Sequence, residues 1–181
     1  MPYRITSADS LLNLAMYYCS KRETSRARLG LYLKRKCREQ KIDDSISQKW
    51  ISDALDKCEE SKMVDDKRYS EILIRDYTGR GKGHRYVEQK LREKGIQKDL
   101  RAYQVDEQSE LERALALANK SIDKIKNKMS RKTKPDSRYV KNESFELKQK
   151  MMQKLITSGF SLEISKKAVE QIMTSLTMQA T

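Results

Sequence analysis

At 181 residues, with 39 Lys and Arg against 26 Asp and Glu, the chain carries a formal net charge of +13, which argues against a cationic target and points to a polyanion or an acidic protein face. Six Gly and two Pro leave too few turn residues for a β-sandwich, while the abundance of Lys, Arg, Glu, Leu, Ala, Gln and Met makes an all-α fold the expected class. The mean hydropathy of -0.87 suits thin helical layers with much exposed surface, and no apolar run approaches the roughly 18 residues needed to span a bilayer.

Met1-Pro2-Tyr3-Arg4 lacks the apolar stretch of a secretory signal, so a soluble cytoplasmic protein without a membrane partner is expected. Cys19, Cys37 and Cys58 show no Cys-x-x-Cys spacing and fall at apolar positions of helical periods, which reads as buried thiols in a reducing compartment. Charge is banded: residues 21–41 carry +7, 42–77 carry -4, 78–101 carry +5, 102–119 carry -3 and 120–141 carry +7. A uniformly basic tail would show no such alternation. The plain alternative is a charged surface that only keeps the protein soluble.

The first periodic run, Leu11, Leu12, Ala15, Met16 and Cys19, predicts a helix over about 8–21, with Ser7 or Asp9 as cap. Thr24 and Ser25 precede a second helix in which Leu29, Leu33 and Cys37 stack on one face, and Arg26, Arg28, Lys34, Arg35 and Arg38 occupy the others. A third helix opens at Ser45 with Gln48 completing a capping box and buries Ile46, Trp50, Ile51, Ala54, Leu55 and Cys58, with Trp50 a core anchor. Asp65 or Asp66 caps a fourth, carrying Tyr69, Ile72, Leu73 and Tyr77.

The turn Gly79-Arg80-Gly81-Lys82-Gly83 follows, then a helix from His84 to Glu93 with Val87 and Leu91 inward and Gly95 as its left-handed end. A short run over Lys98 to Val105 closes the group. Ser109 and Glu112 form a capping box for the cleanest stripe in the chain, Leu111 to Met129. Residues 128–141 lose periodicity around Pro135 and read as a basic mobile loop. Leu147, Met151, Met152, Leu155 and Ile156 make the next helix, ending at Gly159-Phe160, and Ser161 caps the last.

An internal repeat emerges from Leu33, Leu91 and Leu155, spaced by 58 and 64 residues; the latter two are followed at four residues by Gly95-Ile96 and Gly159-Phe160. The expected organisation is helical repeats at 8–62, 63–105 and 106–181, forming an elongated, curved array of three three-helix units.

Catalytic chemistry is not readable in this chain. His84 is the one histidine and has no metal-ligand spacing. The pairs Asp43-Asp44 and Asp65-Asp66 stand where helices begin and read as caps, with a Mg²⁺ site and nuclease activity as the competing reading. The glycine-rich turn lacks the Gly-x4-Gly-Lys-Ser/Thr pattern of a nucleotide loop; it serves either as a plain turn with positive φ or as a phosphate contact through backbone amides and its cations. Tyr77 beside it stacks on a ligand or packs inward. No catalytic residue, metal or cofactor is expected.

In order and spacing, Met63-Val64-Asp65-Asp66-Lys67-Arg68-Tyr69, Arg75, Gly81-Lys82-Gly83 and Leu91-Arg92-Glu93-Lys94-Gly95-Ile96 together resemble the signature of the RecX family, with Ser25-Arg26 and the three-part layout extending the likeness. His84 stands where many members have Pro, Tyr86 where an aliphatic residue is common, and 128–141 looks like an insertion. The resemblance implies a non-enzymatic regulator of three-helix repeats, and a monomer is expected. It would bind the RecA recombinase filament on DNA, touch the DNA phosphate backbone, and restrain the recombinase's ATPase and strand exchange. Arg26, Arg28, Arg35, Arg75, Arg80, Lys82 and Arg85 are the expected contact residues. The reading from another class is a stand-alone DNA- or RNA-binding protein that acts through phosphate contacts alone.

Overall fold

The structure, a computed structural model, describes residues 4–101, 106–130 and 143–179. Among them every regular element is helical: α1 (Ala8–Lys21), α2 (Arg26–Glu39), α3 (Asp44–Glu60), α4 (Asp66–Gly79), α5 (His84–Glu93), α6 (Lys98–Arg101), α7 (Glu107–Ser130), α8 (Glu143–Thr157) and α9 (Leu162–Gln179). Two compact units hold them. Met1–Leu73 with Lys90–Ala102 make the first, and Ile74–Gln89 with Tyr103–Thr181 the second, so α4 and α5 each contribute to both.

In the first unit α1, α2 and α3 pack mutually around Leu11, Leu14, Leu29, Leu33, Cys37 and Cys58, all buried. In the second, α7, α8 and α9 close around Ala114, Met151, Leu155, Phe160, Ala168 and Val169. The stripes follow the helical period, because residues three and four apart share a face and only that face loses water on packing. Ile46 departs from its expected place: it is 48% exposed while Ser47 is buried, and Trp50 is only partly buried against the core. The start of α3 differs as well. Asp43, not Ser45, is its cap, its carboxylate accepting from Ser45 N at 2.9 Å.

Asp106 likewise displaces the expected Ser109 cap of α7, accepting from Ser109 N at 3.0 Å. A carboxylate wins both contests because it accepts the free amide and also meets the positive end of the helix. Hydrogen bonds from Ser45 and Ser109 hold the Asp43 and Asp106 carboxyls below their ordinary pKa. Ser7, Ser25 and Ser161 cap α1, α2 and α9 as read from the sequence, Ser161 Oγ accepting from Ile164 N at 3.1 Å. α7 continues to Ser130, beyond the Lys128 at which its stripe was expected to give way to a loop; 131–142 lie outside the described residues, as do 102–105 after α6.

The repeat is sharper in backbone geometry than in sequence. Ile96 N bonds to Leu91 O at 3.1 Å across Gly95 (φ 75°), and Phe160 N to Leu155 O at 3.2 Å across Gly159 (φ 92°). Ile42 N bonds in the same way to Cys37 O at 3.1 Å, with Lys41 at φ 57° in the glycine's place. Counted from the helix start, Leu33 corresponds to Leu91; counted from the end, Cys37 does. The difference is one turn, since α2 has 14 residues and α5 has 10. Lys41→Gly is therefore expected to raise stability by about 0.5–1 kcal/mol, because a left-handed residue with a Cβ carries strain that glycine lacks. Chemical denaturation measures this; an unchanged or lower midpoint would refute it.

Candidate partner and nucleic-acid interface

The expected contact residues fall into one set in each unit. In the first unit Ser25 starts α2, its Oγ accepting from Arg28 N at 3.2 Å and donating to Lys94 O. Arg26 N, the first amide of α2, donates to Asp66 Oδ1 at 2.8 Å. Asp65, not Asp66, caps α4 itself, accepting from Arg68 N at 3.0 Å. Burial raises the Asp66 pKa, opposed by the Arg26 amide and guanidinium, as suits a carboxylate used as an internal acceptor.

Arg26 is not a free cation. Its guanidinium reaches Asp56 at 2.7 Å and Glu59 at 2.5 Å on α3, and its side chain is 32% exposed, so it clamps α2 to α3. Arg28 is exposed, and Arg35 is 65% exposed, pairing loosely with Glu39 at 3.6 Å and lying 5.7 Å from the Tyr32 ring centroid. These two remain available to a partner, on the side of α2 away from its buried Leu29, Leu33 and Cys37.

The second set surrounds the turn between α4 and α5. Gly81 takes φ 69° and its amide bonds to Thr78 O at 2.9 Å, while Lys82 N bonds to Tyr77 O at 3.0 Å. Gly83 N then donates to Ser158 O at 3.0 Å and Arg85 N to Gly159 O at 3.0 Å. His84 N donates to the buried Glu110 carboxylate at 2.7 Å. Every amide from Gly81 to Arg85 is thus spent inside the protein, and a phosphate cradled by backbone N–H groups has no donors here. The side chains are what the turn offers: Arg75, Arg80 and Arg85 are exposed, Arg80 pairing at 2.9 Å with Asp76, and Lys82 lies 4.7 Å over the Tyr86 ring. Tyr77 packs edge-on to Tyr86 at 5.5 Å, which settles it as a packing residue.

The same junction is built in both units. A carboxylate from a following helix takes the first amide of α2 (Asp66) and of α5 (Glu110). The residue before each helix bonds the carbonyl just ahead of a left-handed glycine, Lys94 before Gly95 and Ser158 before Gly159. The glycines are needed for space as well as for φ: a Cβ on Gly95 would lie 2.4 Å from Ala27 Cβ, and one on Gly159 2.3 Å from Tyr86 Cβ. Sequence reasoning missed Glu110, whose only local signal is its place in the first turn of α7.

Residues 65–102 match the family model described as the RecX second three-helix domain. Regulatory protein RecX of Streptococcus pyogenes serotype M5 (strain Manfredo) is 28% identical over 161 residues, covering 88% of this chain and 54% of the relative. The chain is thus similar to RecX proteins, through this domain and along most of its length. Regulatory protein RecX of Clostridium botulinum (strain Alaska E43 / Type E3) is 28% identical over 126 residues, 68% of this chain and 53% of the relative. The chain therefore spans about half the length of the curated RecX proteins it matches. The crystal structure of RecX from Lactobacillus salivarius superposes with a TM-score of 0.66 at 23% identity, covering 91% of this chain and 95% of that one. A second structure, of regulatory protein RecX, gives 0.68 at 20% identity over 90% and 73%. The fold is thus that of solved RecX proteins, and both the Asp65-Asp66 pair and the basic turn lie inside the matched domain. Among the described residues no group of three or more His, Cys, Asp and Glu is arranged to hold a metal ion, and no helix is long and apolar enough to cross a membrane.

Proposed function

We propose that this chain is a regulatory protein of the RecX family that binds the RecA filament on DNA and restrains its ATPase and strand exchange, with 8–62, 63–105 and 106–181 as its three-helix repeats. One observation carries the reading: the stretch that matches the RecX second three-helix domain also presents Arg75, Arg80 and Arg85 to solvent and Lys82 beside them, with its backbone amides internally satisfied. A surface whose cations are not used to hold the fold is suited to an anionic partner. The exposed Arg28 and Arg35 of α2 add a second basic contact, while Arg26 supports it structurally. The protein works without a cofactor and without chemistry of its own.

The test is RecA ATPase on single-stranded DNA with and without the chain. Inhibition at amounts below one chain per recombinase protomer supports regulation of the filament; no effect at stoichiometric amounts rejects it. Cations and tyrosines clustered on α1 and α2 favour a second reading, nucleic-acid binding with no recombinase needed. That reading calls for binding to bare DNA that collapses steeply with salt.

A further inference from the structure

The first unit carries a cluster of aromatic rings and cations on and beside α1 and α2. Tyr18 of α1 and Tyr32 of α2 stack with ring centroids 4.2 Å apart and planes 27° apart. Both are partly buried against the unit's core, which fixes their position. The Arg22 guanidinium lies 5.0 Å from the Tyr18 centroid and that of Arg35 5.7 Å from Tyr32. One helical step away Tyr17 is 60% exposed, with Lys21 at 5.3 Å from its ring. These groups border or lie in the band of residues 21–41, which carries +7.

From this arrangement we infer that the α1–α2 face is a stacking platform for the unpaired bases of a single-stranded nucleic acid. Cations alone serve a phosphate backbone or an acidic protein; flat rings held among cations, two partly buried and Tyr17 mostly exposed, suit a strand whose bases are free to stack. A base laid on a tyrosine face displaces the cation there, and the displaced guanidinium then reaches the flanking phosphate. Stacking and an ion pair thus replace a cation–π contact. A duplex gains less, because its bases are already stacked on one another and only phosphates reach the cations. The inference rests on the DNA contact in the proposed function and gives that contact a preferred strand state.

The experiment needs no recombinase, so its failure is separable from failure of the regulatory reading, which the ATPase assay reports. Binding of the full chain to a labelled oligothymidylate, to an abasic strand of equal length and charge, and to a duplex is measured by anisotropy at fixed salt. The oligothymidylate is expected to bind roughly tenfold more tightly than the abasic strand. Tyr32→Leu should erase that advantage and Tyr32→Phe retain it, with thermal melting used to confirm that both variants fold; Tyr17→Ala, on a mostly exposed side chain, should reduce it without affecting the fold. Equal affinity of wild type for the oligothymidylate and the abasic strand overturns the platform, as does equal binding of polyglutamate, which would mark an acidic-protein surface instead.

Discussion

With Arg80, Lys82 and Arg85 replaced together by glutamate, the chain is expected to need on the order of tenfold more protein to inhibit RecA ATPase on single-stranded DNA. The expectation follows from what those side chains do and do not hold. Arg80 is 66% exposed and pairs only with Asp76 one turn away on α4, a contact of less than about 1 kcal/mol. Lys82 loses a cation–π contact with Tyr86, also about 0.5–1 kcal/mol. Arg85 contributes its backbone amide to the junction, and that amide is unchanged by the substitution. A glutamate in place of Arg80 faces Asp76 at like-charge spacing, adding a few tenths of a kcal/mol of repulsion. The folded state therefore persists while three local charges reverse sign. Glutamine at all three positions should give an intermediate loss. Inhibition unchanged by the glutamate variant, with helicity and melting intact, would reject the turn as a contact site.

Gly83→Ala and Gly159→Ala are expected to destabilise the chain by about 3 kcal/mol or more each. A Cβ on Gly83 would sit 2.4 Å from Gly159 C and from Phe160 N, which are backbone atoms that no rotamer change can move. Gly159 adds φ 92° to a clash of 2.3 Å with Tyr86 Cβ. Relief requires separating α5 from the end of α8, which breaks the bonds from Gly83 N and Arg85 N and disturbs the fully buried Phe160. Gly81→Ala is the control. It shares positive φ, at 69°, but has nothing within 4 Å of the added methyl, so about 1 kcal/mol is expected. Denaturation midpoints of the three variants decide the matter: a Gly83→Ala cost no greater than that of Gly81→Ala would mean the close junction does not bear on stability.

The sequence by itself determined the helices, their inward faces and the ends marked by Gly95 and Gly159, because bonds between residues four apart and the φ demands of a left-handed turn are local properties. It also placed Arg80, Lys82 and Arg85 off the apolar stripe, which is why their availability was legible from residue order and spacing alone. Where two local caps competed, at Asp43 against Ser45 and Asp106 against Ser109, the pattern was ambiguous by a few residues and the stronger acceptor decided. Pairings between distant helices were not legible. The acidic partners of Arg26 lie 30 and 33 residues away, Asp66 serves a helix 40 residues upstream of it, and Glu110 one 26 residues upstream. The Tyr18–Tyr32 stack likewise depends on how α1 meets α2. Which side chains meet across two helices is set by their crossing and axial offset, and the helical period fixes neither; only the tertiary structure gave Arg26 its acidic partners on α3 and Gly83 its close approach to Gly159.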